Sequence, residues 1–267
     1  MQFSTFCSNQ IDASGGVRLV LLDYPARFGV NISSWIFLKF FRRRVTFLAS
    51  EILLALSLIQ DKEEGIRLKH IYQEGKEGKP TLLLLHGTGG TEHDLLPIGN
   101  MIDPDAGILS VRGEVLENGM PRFFRRLAEG VFDLEDLVVR TKDLNSFIGQ
   151  AADDYGFDRK NVIAVGYSNG ANIAASLLFH YEDALKGAIL HHPMVPIRDK
   201  ELPPLNGTSV FIGAGTNDPI CPMEEAKDLK SLLEDAGAEV HVHWENFGHS
   251  LTRTEIEAAA DWYHNKY

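Results

Sequence analysis

The stretch Asn161-Val162-Ile163-Ala164-Val165-Gly166-Tyr167-Ser168-Asn169-Gly170-Ala171-Asn172-Ile173-Ala174-Ala175-Ser176 decides the fold. Its first five residues are mostly apolar and β-branched, the pattern of a buried strand. Its last six, rich in alanine, continue as a helix. Gly166 and Gly170 bracket Ser168 because a turn this tight leaves no room for side chains beside the serine. The helix that follows aims its first amides, and the positive end of its dipole, at the space above the hydroxyl. A G-x-S-x-G element in a strand-turn-helix setting marks Ser168 as a nucleophile rather than as a serine that merely caps the helix.

Outward from this element, short apolar runs at 81–85, 108–111, 161–165, 188–190, 209–212 and 239–244 alternate with helical patterns at 134–155, 171–180, 223–236 and 253–264. Strands buried on both faces read as continuous apolar runs, and alternation with helices predicts an α/β architecture. The expected fold is a doubly wound, mostly parallel sheet with helices on both faces. Its functional loops lie at the carboxyl ends of the strands.

A serine hydroxyl needs a base, and downstream of a G-x-S-x-G turn the expected order is acid, then histidine. Asp218 stands in Gly215-Thr216-Asn217-Asp218-Pro219, just after the 209–212 strand. His249 stands in Asn246-Phe247-Gly248-His249-Ser250, between the last strand and the last helix. A carboxylate at Asp218 would orient the imidazole and stabilise its cation. The rival histidines His241 and His243 alternate along a strand and read as sheet positions. Asp228 and Asp235 read as solvated positions on a helix face.

His86-Gly87-Thr88-Gly89-Gly90 follows the Leu82 to Leu85 run and has the form of a loop that supplies an oxyanion donor. The backbone N–H of Thr88, with that of Asn169, would meet a tetrahedral oxyanion, while His86 reads as a residue that holds the loop. Candidate pocket residues are Arg112 at one strand end, His191 and His192 at another, and Phe123. Phe123 lies in the loop 118–126, which reads either as a cover over the site or as a surface loop with Phe123 and Phe124 packed inward. No carboxylate or cysteine accompanies His191 and His192 at ligand spacing, so no metal site is expected. Cys221 reads as a small buried hydrophobe.

The formal net charge of −11 disfavours a nucleic-acid surface, since phosphate neutralisation needs clustered Lys and Arg. Two cysteines in 267 residues give no disulfide framework, and a reducing, cytoplasmic setting is expected. Residues 1–67 differ in texture, with eight Lys/Arg against six Asp/Glu, whereas 68–267 hold 18 against 31. The apolar run at 45–59 falls short of the roughly 18 to 20 residues of a bilayer span, so no stable membrane insertion is expected. Lys62-Glu63-Glu64-Gly65 back-translates to a purine-rich stretch ahead of Leu68, as for a ribosome-binding site. Residues 1–67 are therefore expected to be an atypical extension, either weakly structured or translated upstream DNA, and 68–267 a single catalytic domain.

Five stretches in combination resemble the phospholipase/carboxylesterase branch of the α/β-hydrolases, which includes acyl-protein thioesterase-like enzymes. They are Leu84 to Gly90, Ser110-Val111-Arg112-Gly113, Gly166 to Gly170, His191-His192-Pro193-Met194 and Asn217-Asp218-Pro219-Ile220. The resemblance spans residues 68–267 and looks closest to short bacterial carboxylesterases, some associated with quinone or catechol stress. It implies the α/β-hydrolase fold and a serine carboxylesterase that cleaves small ester or thioester substrates through an acyl-enzyme, without a cofactor. A homodimer is compatible with it. Two other readings stay open: a dienelactone-type or quinone- or catechol-derived product as substrate for the same machinery, and a non-catalytic ligand sensor on the hydrolase fold.

Overall fold

The computed structural model describes residues 67–267 and two short strands, β1 (Asn9–Ile11) and β2 (Val17–Leu19). β1 and β2 pair antiparallel within a unit, Met1–Glu64, distinct from the one that begins at Gly65. The apolar run at 45–59 and the purine-rich reading of 62–65 lie outside the described residues. In the second unit the chain runs β3 (His70–Gln73), β4 (Thr81–Leu85), α1 (Leu96–Ile102), β5 (Gly107–Val111), β6 (Val115–Glu117), β7 (Met120–Arg122), β8 (Arg126–Ala128) and β9 (Val131–Phe132). It continues through α2 (Leu134–Tyr155), β10 (Val162–Tyr167), α3 (Asn169–His180), β11 (Gly187–His191), β12 (Ser209–Gly215), α4 (Met223–Asp235), β13 (Glu239–Glu245) and α5 (Arg253–Lys266).

Seven strands form one sheet in the order β13-β12-β11-β10-β4-β5-β3, parallel except for β3, which runs antiparallel to β5. Side chains of successive strand residues point to opposite faces. Leu83, Leu85, Leu109 and Val111 accordingly enter one core, beneath α2, α3 and α4, while Leu82, Leu84 and Ile108 enter another, beneath α1 and α5. The inner strands β4, β5, β10, β11 and β12 are buried on both faces, which is why they read as continuous apolar runs. Burying each large apolar side chain is worth about 1.5–3 kcal/mol against the entropy of ordering the chain.

After β5 the chain crosses back over β4 to β10 and then proceeds the other way through β11, β12 and β13. The strand order reverses between β4 and β10, and a crevice opens at such a switch point at the carboxyl ends of the strands. Ser168 and the 86–90 loop flank that crevice.

The antiparallel edge β3 and the helix α1 were not expected from the sequence. α1 has only seven residues and carries Pro97 in its first turn, too short a span for a helical period to register. Residues 118–126 are not a loop but parts of two hairpins, β6–β7 and β8–β9. Asn118 and Gly119, both with positive φ, make the two-residue turn of the first hairpin, and that dipeptide was a readable signal. α3 starts two residues earlier than its alanine pattern. Among the described residues no helix is long and apolar enough to cross a membrane.

Candidate active site

Ser168 sits at φ 51° and ψ −112°, a backbone region that costs a residue with a side chain about 1–3 kcal/mol. Its N–H donates to the carbonyl of His191 (2.9 Å), and its own carbonyl receives the N–H of Asn172 (3.0 Å) as the first helical bond of α3. A Cβ on Gly170 would overlap the carbonyl of Leu85, so the turn closes only with glycine there. The strained turn lifts the hydroxyl clear of the sheet. Ser168 Oγ then lies 2.9 Å from His249 Nε2, and His249 Nδ1 lies 2.7 Å from Asp218 Oδ2. With Nδ1 facing a carboxylate, the ring proton belongs there, leaving the Nε2 lone pair toward the hydroxyl.

Asp218 is buried at the end of β12. Burial alone would raise its carboxyl pKa. The N–H of Cys221 (2.9 Å), the His249 ring and the N–H of Ile220 (2.8 Å) outweigh burial and hold it below the ordinary carboxylate range. The loop that carries His249 is held independently: Gly248 N–H donates to Asn217 Oδ1 (2.8 Å), and the Tyr167 hydroxyl donates to the carbonyl of His249 (2.6 Å).

These groups open onto a pocket of about 310 Å³ whose lining includes Ser168, His249, Thr88, Asn169, Phe132 and Met194. Asn169 N–H is among the amides at the start of a helix that have no intrahelical acceptor. The Asn169 side chain faces the other way, its Oδ1 accepting the N–H of Phe123 (2.7 Å). The Thr88 loop is clamped by the first hairpin. Arg122 Nη1 donates to Thr88 Oγ1 (2.6 Å), and Gly89 N–H donates to the carbonyl of Pro121 (2.9 Å). His86 lies behind the loop, with Nε2 accepting the Gly113 N–H (3.0 Å) and Nδ1 facing the Gly87 carbonyl (2.6 Å). Burial depresses its pKa, in keeping with a neutral ring.

Ser168, Asp218, His249, Thr88 and Asn169 are thus brought to one place, but four expected pocket residues are not in its lining. Arg112 turns to the buried carboxylate of Glu92. Phe123 is buried beneath the 86–90 loop, packed on His86 with ring centroids 4.8 Å apart. His191 and His192 are buried beneath the site against Glu255. Residues 118–126 still reach the pocket through Arg122 and Arg126, and the second hairpin adds Glu129, Gly130 and Phe132. The Cys221 thiol borders the pocket, but burial pushes its pKa far up, away from a nucleophilic thiolate.

His192, Asp218 and His249 bring ligand-type atoms within 4.8 Å of one another. Both imidazoles meet the carboxylate at 2.7–2.9 Å through ring nitrogens that act as donors, so a cation there would have to displace both contacts. Glu255, Arg122 and Tyr167 are the residues that sequence reasoning missed. The only local signals were a Thr252-x-x-Glu255 capping pattern and the variable position of the G-x-S-x-G turn.

A serine on a strained strand-to-helix turn at the switch point, with histidine and aspartate from later strand ends, defines the α/β-hydrolase class. The chain belongs to the dienelactone hydrolase family, whose model matches residues 125–266. It is 64% identical over 196 residues to the putative hydrolase MhqD of Bacillus subtilis, covering 73% of this chain and 98% of that protein. A crystal structure of the Bacillus cereus carboxylesterase superposes with a TM-score of 0.74 at 65% identity, over 75% of this chain and 95% of that one. Acyl-protein thioesterase 1 of Cryptococcus neoformans is 28% identical over 176 residues, 57% of this chain and 72% of that protein. The chain is a hydrolase of the carboxylesterase kind, as the sequence resemblance implied.

Proposed function

We propose that the protein is a serine carboxylesterase that cleaves small carboxylic esters through an acyl-enzyme. The observation that carries this reading is the continuous path Ser168 Oγ, His249 Nε2, His249 Nδ1, Asp218 Oδ2, with links of 2.9 and 2.7 Å, at the floor of a pocket. In the proposed cycle the Ser168 oxygen attacks the carbonyl carbon while His249 takes the hydroxyl proton. The amides of Thr88 and Asn169 receive the oxyanion. His249 returns the proton to the departing alcohol, then activates the water that releases the acid. A pocket of about 310 Å³ is at the small end of the roughly 300–1,000 Å³ typical of ligand sites, which supports short acyl and alcohol groups.

Intact mass before and after a fluorophosphonate probe, with Ser168→Ala as control, tests the nucleophile. One adduct, absent from the variant, is expected; none on folded protein would favour the ligand-sensor reading. Short aryl esters, aryl thioesters and an enol lactone, run as a panel, then rank the substrate class. Fastest turnover of the lactone would replace the simple-ester reading with a dienelactone-type one.

A further inference from the structure

Asp218 Oδ2, which faces His249, also lies 2.9 Å from Nδ1 of a second histidine, His192. The other ring nitrogen of His192, Nε2, lies 3.2 Å from Glu255 Oε2 on α5, and Glu255 Oε1 takes Nδ1 of His191 at 2.5 Å. Glu255 is 0% and His192 1% exposed. A neutral imidazole carries one N–H, and an ionised carboxylate only accepts. Each ring nitrogen of His192 meets a carboxylate oxygen, so both contacts are satisfied together only by the imidazolium. Without that cation two buried carboxylates would repel through a low dielectric.

The fold makes specific room for this cluster. His192 adopts φ 52°, uncommon for a residue with a side chain. A Cβ on Gly213 would overlap the Glu255 carboxylate. Thr252 Oγ1 caps α5 by accepting the Glu255 N–H (3.1 Å), but the Glu255 carboxylate points inward to the histidines. Other neighbours of His192 are the Tyr167 and His249 rings, at 6.1 and 5.1 Å between centroids, the Gly213 carbonyl, which accepts its backbone N–H (2.7 Å), and the Cys221 thiol, which donates to the His192 carbonyl (3.3 Å).

We propose that His192, as an imidazolium clamped between Asp218 and Glu255, is a positioning residue for acyl transfer. It holds Oδ2 of Asp218 on His249 and keeps the buried carboxylate pair at one net negative charge. The proposal rests on Ser168, His249 and Asp218 acting as the triad. When the Ser168 O–H bond breaks and His249 Nε2–H forms, the freed electron pair goes to the carbonyl carbon. The four-residue set of His249, Asp218, His192 and Glu255 becomes neutral at that moment. Burial pulls the His192 pKa down, but the Glu255 and Asp218 contacts outweigh it and raise it above the ordinary histidine value. Hydrogen bonds from His191 and His192 hold the Glu255 carboxyl down to about 2, against burial.

Ring ¹⁵N NMR of histidine-labelled full-length protein tests the charge without any substrate. At neutral pH one ring is expected with both nitrogens protonated, and its signals should vanish in His192→Gln. A neutral His192 ring would overturn the proposal while leaving the triad reading intact. The pH profile of kcat/KM for an aryl ester supplies a readout that loss of packing alone does not move. Glu255→Gln removes a negative charge and should shift the acidic limb down by about one pH unit, and His192→Gln should shift it up by about as much. In both variants kcat should fall about tenfold or more with KM within about twofold. Limbs unmoved in both folded variants would also overturn it. If neither variant folds, sequence-specific assignment of the histidine ring signals in the unsubstituted protein decides alone.

Discussion

The Tyr167 hydroxyl donates to the backbone carbonyl of His249 at 2.6 Å, tying the residue before Ser168 to the loop that carries His249. Burial raises the Tyr167 pKa, so the phenol stays a donor across the working range. The link joins the ends of β10 and β13, which are not neighbours in the sheet. Removing one such hydrogen bond typically costs about 1 kcal/mol. Tyr167→Phe should therefore lower kcat roughly fivefold, at that conversion, while fluorophosphonate still labels Ser168. Steady-state kinetics and the labelling rate check both parts. A variant with unaltered kcat would show that Asn217, which binds the Gly248 N–H, holds the loop unaided.

Asp218→Asn replaces an acceptor with a group that can present N–H to His249 Nδ1. The ring would turn to the wrong tautomer, and kcat should drop by about 10⁴-fold with little change in KM. A loss of less than tenfold with an aryl ester would remove Asp218 from the acid's role.

Arg122 is 3% exposed and reaches Thr88 Oγ1, the Phe124 carbonyl and Glu117 from a single guanidinium. Arg122→Met keeps much of the bulk but releases the Thr88 loop. A lost hydrogen bond to a charged group is worth about 1.5–3 kcal/mol, so kcat/KM should fall at least tenfold. The fall should lie mainly in kcat if the Thr88 amide acts on the oxyanion. A change confined to KM would place Arg122 on substrate binding instead.

The buried cluster predicts a pH signature in stability. Glu255 has a folded pKa of about 2 against an ordinary 4.5, so its contribution is fully present above about pH 4.5 and is lost as pH falls toward 2. His192 is raised, so its contribution is fully present below 6.5 and is lost as pH rises through its folded value. The stability advantage of the unsubstituted protein over Glu255→Gln should narrow by on the order of 3 kcal/mol between pH 6 and pH 2. Urea unfolding at a series of pH values measures it, and a difference independent of pH would contradict an ionised Glu255.

Leu84 is fully buried in β4, next to the switch point, and packs over Gly99 of α1. Leu84→Ala leaves a cavity between sheet and helix and should cost about 2–5 kcal/mol in urea unfolding. The acidic limb of kcat/KM should not move, because no charge near His249 changes.

The strand-turn-helix at Ser168 was readable because each part depends on neighbours in sequence: an apolar run, two glycines and a helix-forming stretch. The same holds for the order of Asp218 and His249, each placed at the end of its own strand by apolar runs a few residues away. Arg112, His191 and His192 were also located at the right ends of their strands, whereas Phe123 was placed in a loop that is part of two hairpins. Where their side chains point depends on distant partners: Glu92 is 20 residues from Arg112, the His86 ring that packs on Phe123 lies in the loop after β4, and Glu255 is 64 and 63 residues from His191 and His192. Local sequence carries no trace of those separations. Glu255 reads only as a cap-box residue at the start of α5, and Arg122 only as a basic residue beside aromatics.

The amino-acid sequence by itself therefore determined the α/β class, functional loops at the carboxyl ends of the strands and the candidate nucleophile, base and acid, because period and turn chemistry act within a few residues. Tertiary structure alone decided which side chains face the pocket and which are buried behind it. Strand register and helix packing bring α5 against β12, and there the buried Glu255 carboxylate meets His191 and His192 at hydrogen-bond distance, just as Asp218 meets His192 and His249, through partners that lie far apart in sequence.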